Sequence, residues 1–281
     1  MPYEIEREDT LGLRADQAQI LGDALQWQPL PVPDLIAHNR IEAGPDNEAG
    51  AVDVDSYTAA KIERSTLYRF HRSGMLNEHL AHAWPGPGYD FPALTTVIFE
   101  MPEVCIIGAD FIPVGDVAFD QTYYGRHMLG YADVVARHWP TLTSHRLGPE
   151  PPPSPYFTLQ VGSSVGVLLY LDPAAIAAGK EFLLDVTAEW TNVYRDADPV
   201  ADADAVRVEA RRLAVMKRAY KGLDYHSPAG AGLASVLGWT GANMMFDAVF
   251  GPDDPPQVAD GQRTYLDVDI SPGTPPRPVR G

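Results

Sequence analysis

Apolar positions along this chain follow two distinct spacings. Between residues 94 and 112 they run almost without interruption, as Leu94–Phe99 and Val104–Ile112, rich in β-branched residues and separated by Met101-Pro102-Glu103. Runs this short, bounded by a proline turn, predict two adjacent strands joined by a tight connection. Tyr156–Val161 and Val165–Leu171, around Gly162-Ser163-Ser164, predict a second antiparallel hairpin. Elsewhere the spacing is helical. Ile20, Leu21, Ala24 and Leu25 mark a helix over Asp16–Trp27 that Gln28–Pro33 breaks. Met128, Tyr131, Val134 and Val135 share one face of a helix over Asp120–Trp139, and Phe182, Leu183, Val186 and Trp190 form the stripe of a long helix over Ala174–Tyr194.

Polar and charged segments complete the outline. The acidic stretch Glu42–Asp55 reads as a surface loop. Glu78, His79 and His82 lie at helical spacing and read as a solvated helix face, because the His-x-x-His pair lacks a third ligand for zinc. With 281 residues the chain can bury one large core, expected over 1–251, with 1–55 a variable N-terminal segment and 252–281 a Pro- and Asp-rich tail. The single Cys105 sits in an apolar run, which excludes a disulfide framework and suits a reducing compartment. No apolar stretch approaches the roughly 20 residues that span a bilayer, so a soluble, cytoplasmic protein is expected. A formal net charge of -17 argues against general nucleic-acid binding. No Gly-rich phosphate loop follows a strand, so no nucleotide site is expected.

Two features depart from this outline. Arg207–Lys221 carries Arg207, Arg211, Arg212, Lys217, Arg218 and Lys221 against a single Glu209. Arg207, Arg211 and Arg218 share a helix face, which is either a solvated surface or a docking site for an acidic partner. Asp110 lies inside the second apolar run. A carboxylate there either accepts turn amides at a strand end or faces a pocket where its protonation matters.

The order Phe99-x-x-Pro102-Glu103, then Ile107-Gly108-Ala109-Asp110-Phe111-Ile112, resembles the centre of the ferredoxin-dependent bilin reductases. In that family a Phe-Pro-x-Pro strand end precedes a Phe-Gly-x-Asp-Leu-Val strand. The present chain is about two residues shorter between Pro102 and Gly108. Arg146-Leu147-Gly148-Pro149-Glu150 is similar to the family's Arg-Glu-Leu-Pro-Glu segment, and Gly238-Trp239 with Asn243–Phe250 resembles its closing helices. These ordered motifs cover residues 57–251.

The resemblance implies an α+β fold, a three-layer α/β/α sandwich whose central antiparallel sheet holds a linear tetrapyrrole against C-terminal helices. It implies no bound prosthetic group, single electrons from reduced ferredoxin, and protons from side chains. Asp110 takes the place of the family's proton donor, with a pKa expected to rise beneath an apolar ring system. Arg146 takes the place of the arginine that grips a propionate, and the basic helix becomes the expected ferredoxin dock. Thr95 stands where the family's second donor, a histidine, is expected, which makes it a candidate substrate contact whose hydroxyl can hydrogen-bond but is a poor acid. Before the last helix the family presents Asn or Asp, Asp and Lys. Asp224-Tyr225-His226-Ser227-Pro228 stands here, which makes Asp224 a candidate substrate contact and His226 either an alternative donor or a surface residue at a helix cap. His71 falls near the family's first core strand and is assigned no role. The alternatives are a non-catalytic tetrapyrrole-binding protein of the same fold and a chlorophyll-catabolite-type reductase.

Overall fold

The computed structural model describes residues 12–41, 50–72, 76–115, 120–147, 166–208, 210, 211, 213, 214, 217 and 228–252. Its centre is an antiparallel sheet. The strands are β1 (Gln28–Leu30), β2 (His38–Ile41), β3 (Gly50–Ala59), β4 (Ile62–Arg72), β5 (Leu76–Pro85), β6 (Ala93–Glu100), β7 (Cys105–Ile112) and β8 (Val167–Leu171). They run in the order β1-β3-β4-β5-β6-β7-β8, with β2 also on the outer edge of β3. Sequence neighbours from β3 to β7 are therefore spatial neighbours, joined by short connections.

Helices α1 (Leu13–Leu25), α3 (Gln121–His127), α4 (Leu129–Ser144) and α5 (Ile176–Asp196) join one hydrophobic core with one face of the sheet. Leu13, Leu21 and Leu25 of α1 meet Phe182, Leu183, Val186 and Trp190 of α5 there, all buried. Gln17, also buried, donates to Thr96 Oγ1 at 2.9 Å and to Thr187 Oγ1 at 3.0 Å, so its amide ties α1, β6 and α5 without an unpaired donor. Lys61 Nζ donates to the carbonyls of Tyr194 and Ala197, at 2.9 and 2.6 Å, satisfying the last turn of α5. The opposite face carries a second core, formed with α2 (Asp34–Ala37), Leu213 and α6 (Pro228–Phe250). The arrangement is the expected three-layer α+β sandwich. Helix α6 is interrupted at Gly238, whose φ of 67° is open to glycine and strained for other residues. Its packing falls mainly on β3 and β4.

Three expectations are corrected. Residues 50–55 form part of β3 instead of a loop: Val52, Val54 and Ser56 point inward while Asp53 and Asp55 take the alternate positions, so the acidic composition masks a period of two. Glu78, His79 and His82 lie on β5, buried between β4 and β6, instead of on a solvated helix. The helix over Asp120–Trp139 is two helices meeting at Met128, and the second continues past Trp139 to Ser144 with Pro140 inside it. Asp120 caps the first, accepting from Thr122 N and Tyr123 N at 3.0 and 2.9 Å. Residues 42–49, the first strand of the second hairpin at Tyr156–Val161, and the tail beyond residue 252 lie outside the described residues; the second strand is β8.

Candidate functional site

The register decides which side chains share the α6 face. Directly opposed residues of antiparallel strands project to the same side. Ser56 pairs with Thr66, Thr66 with His82, His82 with Thr95, and Thr95 with Asp110. One rung therefore carries a polar side chain on every strand from β3 to β7. Its inner end is anchored on α6: Ser56 Oγ and Thr66 Oγ1 lie 3.1 Å apart and donate to the Ala248 carbonyl at 3.2 and 2.8 Å. Arg64 donates to the same oxygen at 3.1 Å. His82 Nε2 lies 3.4 Å from Thr95 Oγ1, under the rings of Trp84 and Phe250. At the outer end Asp110 is 6% exposed. A Cβ at Gly166 would stand 3.0 Å from Asp110 Oδ2, so the glycine leaves the carboxyl its room.

On one side of this rung the next two rungs are mainly apolar, with half-buried side chains. Leu80, Val97, Gly108 and Leu168 form one, and Phe99, Ile106 and Tyr170 belong to the next, beside the buried Glu78. Alternate residues of β6, namely Leu94, Thr96 and Ile98, are fully packed against the opposite layer. The face thus offers an apolar shelf, several strands wide, bordered by a polar rung that ends in a buried carboxyl. Such a surface suits a flat, conjugated molecule with polar edges.

The expected site residues divide clearly. Asp110 and Thr95 are brought together as register partners. Arg146 is not brought to them. It bridges Leu171 at the outer edge of β8, where Leu147 N donates to the Tyr170 carbonyl at 3.1 Å. Leu171 belongs to the core with α4 and α5, so the pairing assigns Arg146 to the face away from Asp110. Asp224 and His226 lie outside the described residues, as does Arg218. Arg207 and Arg211 are exposed on the helical segment that sends Leu213 into the α6-side core, and Arg207 pairs with Asp204. His82 is the residue that sequence reasoning passed over. Its signal was the alternation Glu78, Leu80, His82, which a period of two puts on one face, whereas a helical period puts only Glu78 and His82 together.

Burial holds two imidazoles neutral. His82 titrates at about 3, lowered by desolvation and partly offset by a bond to the Leu94 carbonyl. His79, on the other face, is also near 3, lowered by desolvation and then by Arg69, Arg14 and His71. The unfolded chain takes up both protons below about pH 6.5 and the folded chain does not, so stability is full above that pH and falls towards pH 3. The expected loss is roughly 1 kcal/mol per pH unit for each imidazole. Urea midpoints at pH 7 and pH 5 measure it, and equal midpoints would refute the assignment. Cys105 is buried and its thiol is pushed up to about 12 by burial first and by Glu100 second, which suits packing and no reactivity.

Among the described residues, no group of three His, Cys, Asp or Glu is placed to hold a metal ion, and no helix is long and apolar enough to cross a membrane. No protein-family model matches the chain. No curated protein sequence matches it either. Among solved structures, the chain is similar to phytochromobilin synthase from tomato in complex with biliverdin, with a TM-score of 0.70 at 16% identity, covering 92% of this chain and 87% of that one. The likeness establishes a shared fold.

Proposed function

We propose that this chain, which shares its fold with a phytochromobilin synthase, reduces a linear tetrapyrrole such as biliverdin by sequential single-electron and proton transfers. The observation that carries the reading is the apolar shelf on the α6 face with Asp110 at the end of the polar rung beside it. A conjugated bilin that accepts an electron becomes more basic, and a carboxyl held against it can protonate it as charge builds up. In this reading Asp110 gives its proton to the radical anion, leaving a neutral radical and a carboxylate that solvent reprotonates before the next step. Electrons come from an acidic one-electron donor of the ferredoxin type, and the protein needs no prosthetic group of its own.

A second reading, a tetrapyrrole-binding protein without redox chemistry, is favoured by Thr95, because the strand position opposite Asp110 carries no acid. Turnover separates the two. Biliverdin supplied with a reduced ferredoxin should be consumed under anaerobic conditions by the reductase and merely bound by the alternative.

The exposed face carrying Arg207 and Arg211 supplies the dock in this reading. In a chain of net charge -17, a local excess of guanidinium groups steers an acidic partner by accelerating encounter more than by tightening the complex. Reversing both to Glu should slow ferredoxin-driven turnover several-fold at low ionic strength, with the deficit shrinking towards 0.5 M salt, where the Debye length falls below roughly 5 Å. Normal turnover of the double variant at low salt would place the dock elsewhere.

A further inference from the structure

His82 is an aromatic base buried to 2% exposure within a rung that otherwise consists of hydroxyls and one carboxyl. Its two nitrogens have different surroundings. Nε2 lies 3.4 Å from Thr95 Oγ1. Nδ1 is buried with no hydrogen-bond partner among the described residues, in the neighbourhood of the Trp84 and Phe250 rings. A proton on Nδ1 would bury an unpaired N–H, whereas a proton on Nε2 has the Thr95 hydroxyl oxygen to donate to. The Nε2–H tautomer is therefore favoured, and its preference has a direction. Once Thr95 Oγ1 accepts from His82, its own proton is left to be donated away from β5, and the register places Asp110 on that side.

We propose that His82 is a positioning residue, which by donating from Nε2 to Thr95 Oγ1 turns the Thr95 hydroxyl into a donor aimed at the rung position of Asp110. The inference rests on the tetrapyrrole-reductase reading and adds to it the group that stands in for the absent acid on β6. No proton is transferred along the chain of donors. When Asp110 has delivered its proton to the one-electron-reduced substrate, the carboxylate that remains accepts from Thr95 O–H, and the bond strengthens as the negative charge appears. An interaction made to the product side of a proton transfer favours that transfer. In place of a second acid, this chain has a fixed hydroxyl with a buried imidazole behind it.

Two measurements test this. In the free protein, nitrogen-15 spectra of the imidazoles should show His82 as the neutral Nε2–H tautomer at pH 7, with that proton's resonance shifted in Thr95→Val. A charged ring, an Nδ1–H tautomer, or an Nε2–H unmoved by Thr95→Val would overturn the proposal whatever the substrate is. In the loaded protein, decay of the bilin radical after a single electron is followed in His82→Phe, Thr95→Val and the double variant. Each single change should slow the decay by about tenfold, as for loss of one hydrogen bond to a developing charge, the double variant should be no slower than either, and Thr95→Ser should restore the rate lost in Thr95→Val. Independent, multiplying effects, or unchanged decay in His82→Phe with the bilin bound, would contradict the coupling. A wild-type protein that binds no bilin would instead refute the functional reading, and the imidazole spectra would then decide the donor chain alone.

Discussion

Asp110→Asn is expected to bind the tetrapyrrole and take up an electron, yet to stall there. Asparagine matches the aspartate in volume, so the space left by Gly166 and the register with Thr95 persist while the dissociable proton is gone. Removal of a general acid typically costs about 10²–10⁴ in rate. Because the electron still arrives, the missing step should expose its substrate: an organic radical visible by electron paramagnetic resonance, accumulating under conditions where the wild type forms product. A purely structural aspartate behaves differently. Its loss should lower stability by about 1 kcal/mol and leave turnover near normal. Turnover and melting temperature measured on the same variant separate the two, and normal turnover would remove Asp110 from the chemistry.

Val97→Glu is expected to abolish tetrapyrrole binding with a modest effect on folding. Val97 lies at the middle of the apolar shelf, flanked on its rung by Leu80 and Gly108, and is half-buried, so a carboxylate can stay hydrated in the free protein. Seating a planar apolar ligand on it would strip that water, at a cost of several kcal/mol without a partner. Each 1.4 kcal/mol is a factor of ten in affinity, so a loss of at least a hundredfold is expected. The equivalent change on the other face should not bind more weakly but fold more poorly, since Ile98 is fully packed against α5. If Val97→Glu bound biliverdin as the wild type does, the shelf would not be the site.

The elements with one unambiguous period were legible in the sequence. Strands β6 and β7 fall within a residue or so of the runs at Leu94–Phe99 and Val104–Ile112, and all four residues of the α5 stripe are fully buried. Where two periods agree, the sequence misled. Residues 78 and 82 share a face in a helix and in a strand alike, so the spacing could not distinguish a solvated helix from β5. Composition misled at residues 50–55, where aspartates on alternate positions of β3 made a strand look like a loop. Asp110 was legible because an ionisable residue in an apolar run is a local anomaly. The rung that gives it meaning was not, because the pairing of Ser56, Thr66, His82, Thr95 and Asp110 is a property of register across five strands and leaves no local trace. Arg146 shows the same limit from the other side. Its place in the order of motifs made it a candidate site residue, and its bridge to Leu171 assigns it to the face away from Asp110.

The central claim, that the α6 face of the sheet binds a linear tetrapyrrole, is tested most directly by an absorbance titration with biliverdin. Binding on an apolar shelf beside Asp110 should hold the bilin in one geometry and change its hydrogen bonding, so its long-wavelength band should shift and sharpen with saturation at one equivalent. A visible spectrum that stays that of free biliverdin at high protein concentration would contradict the account.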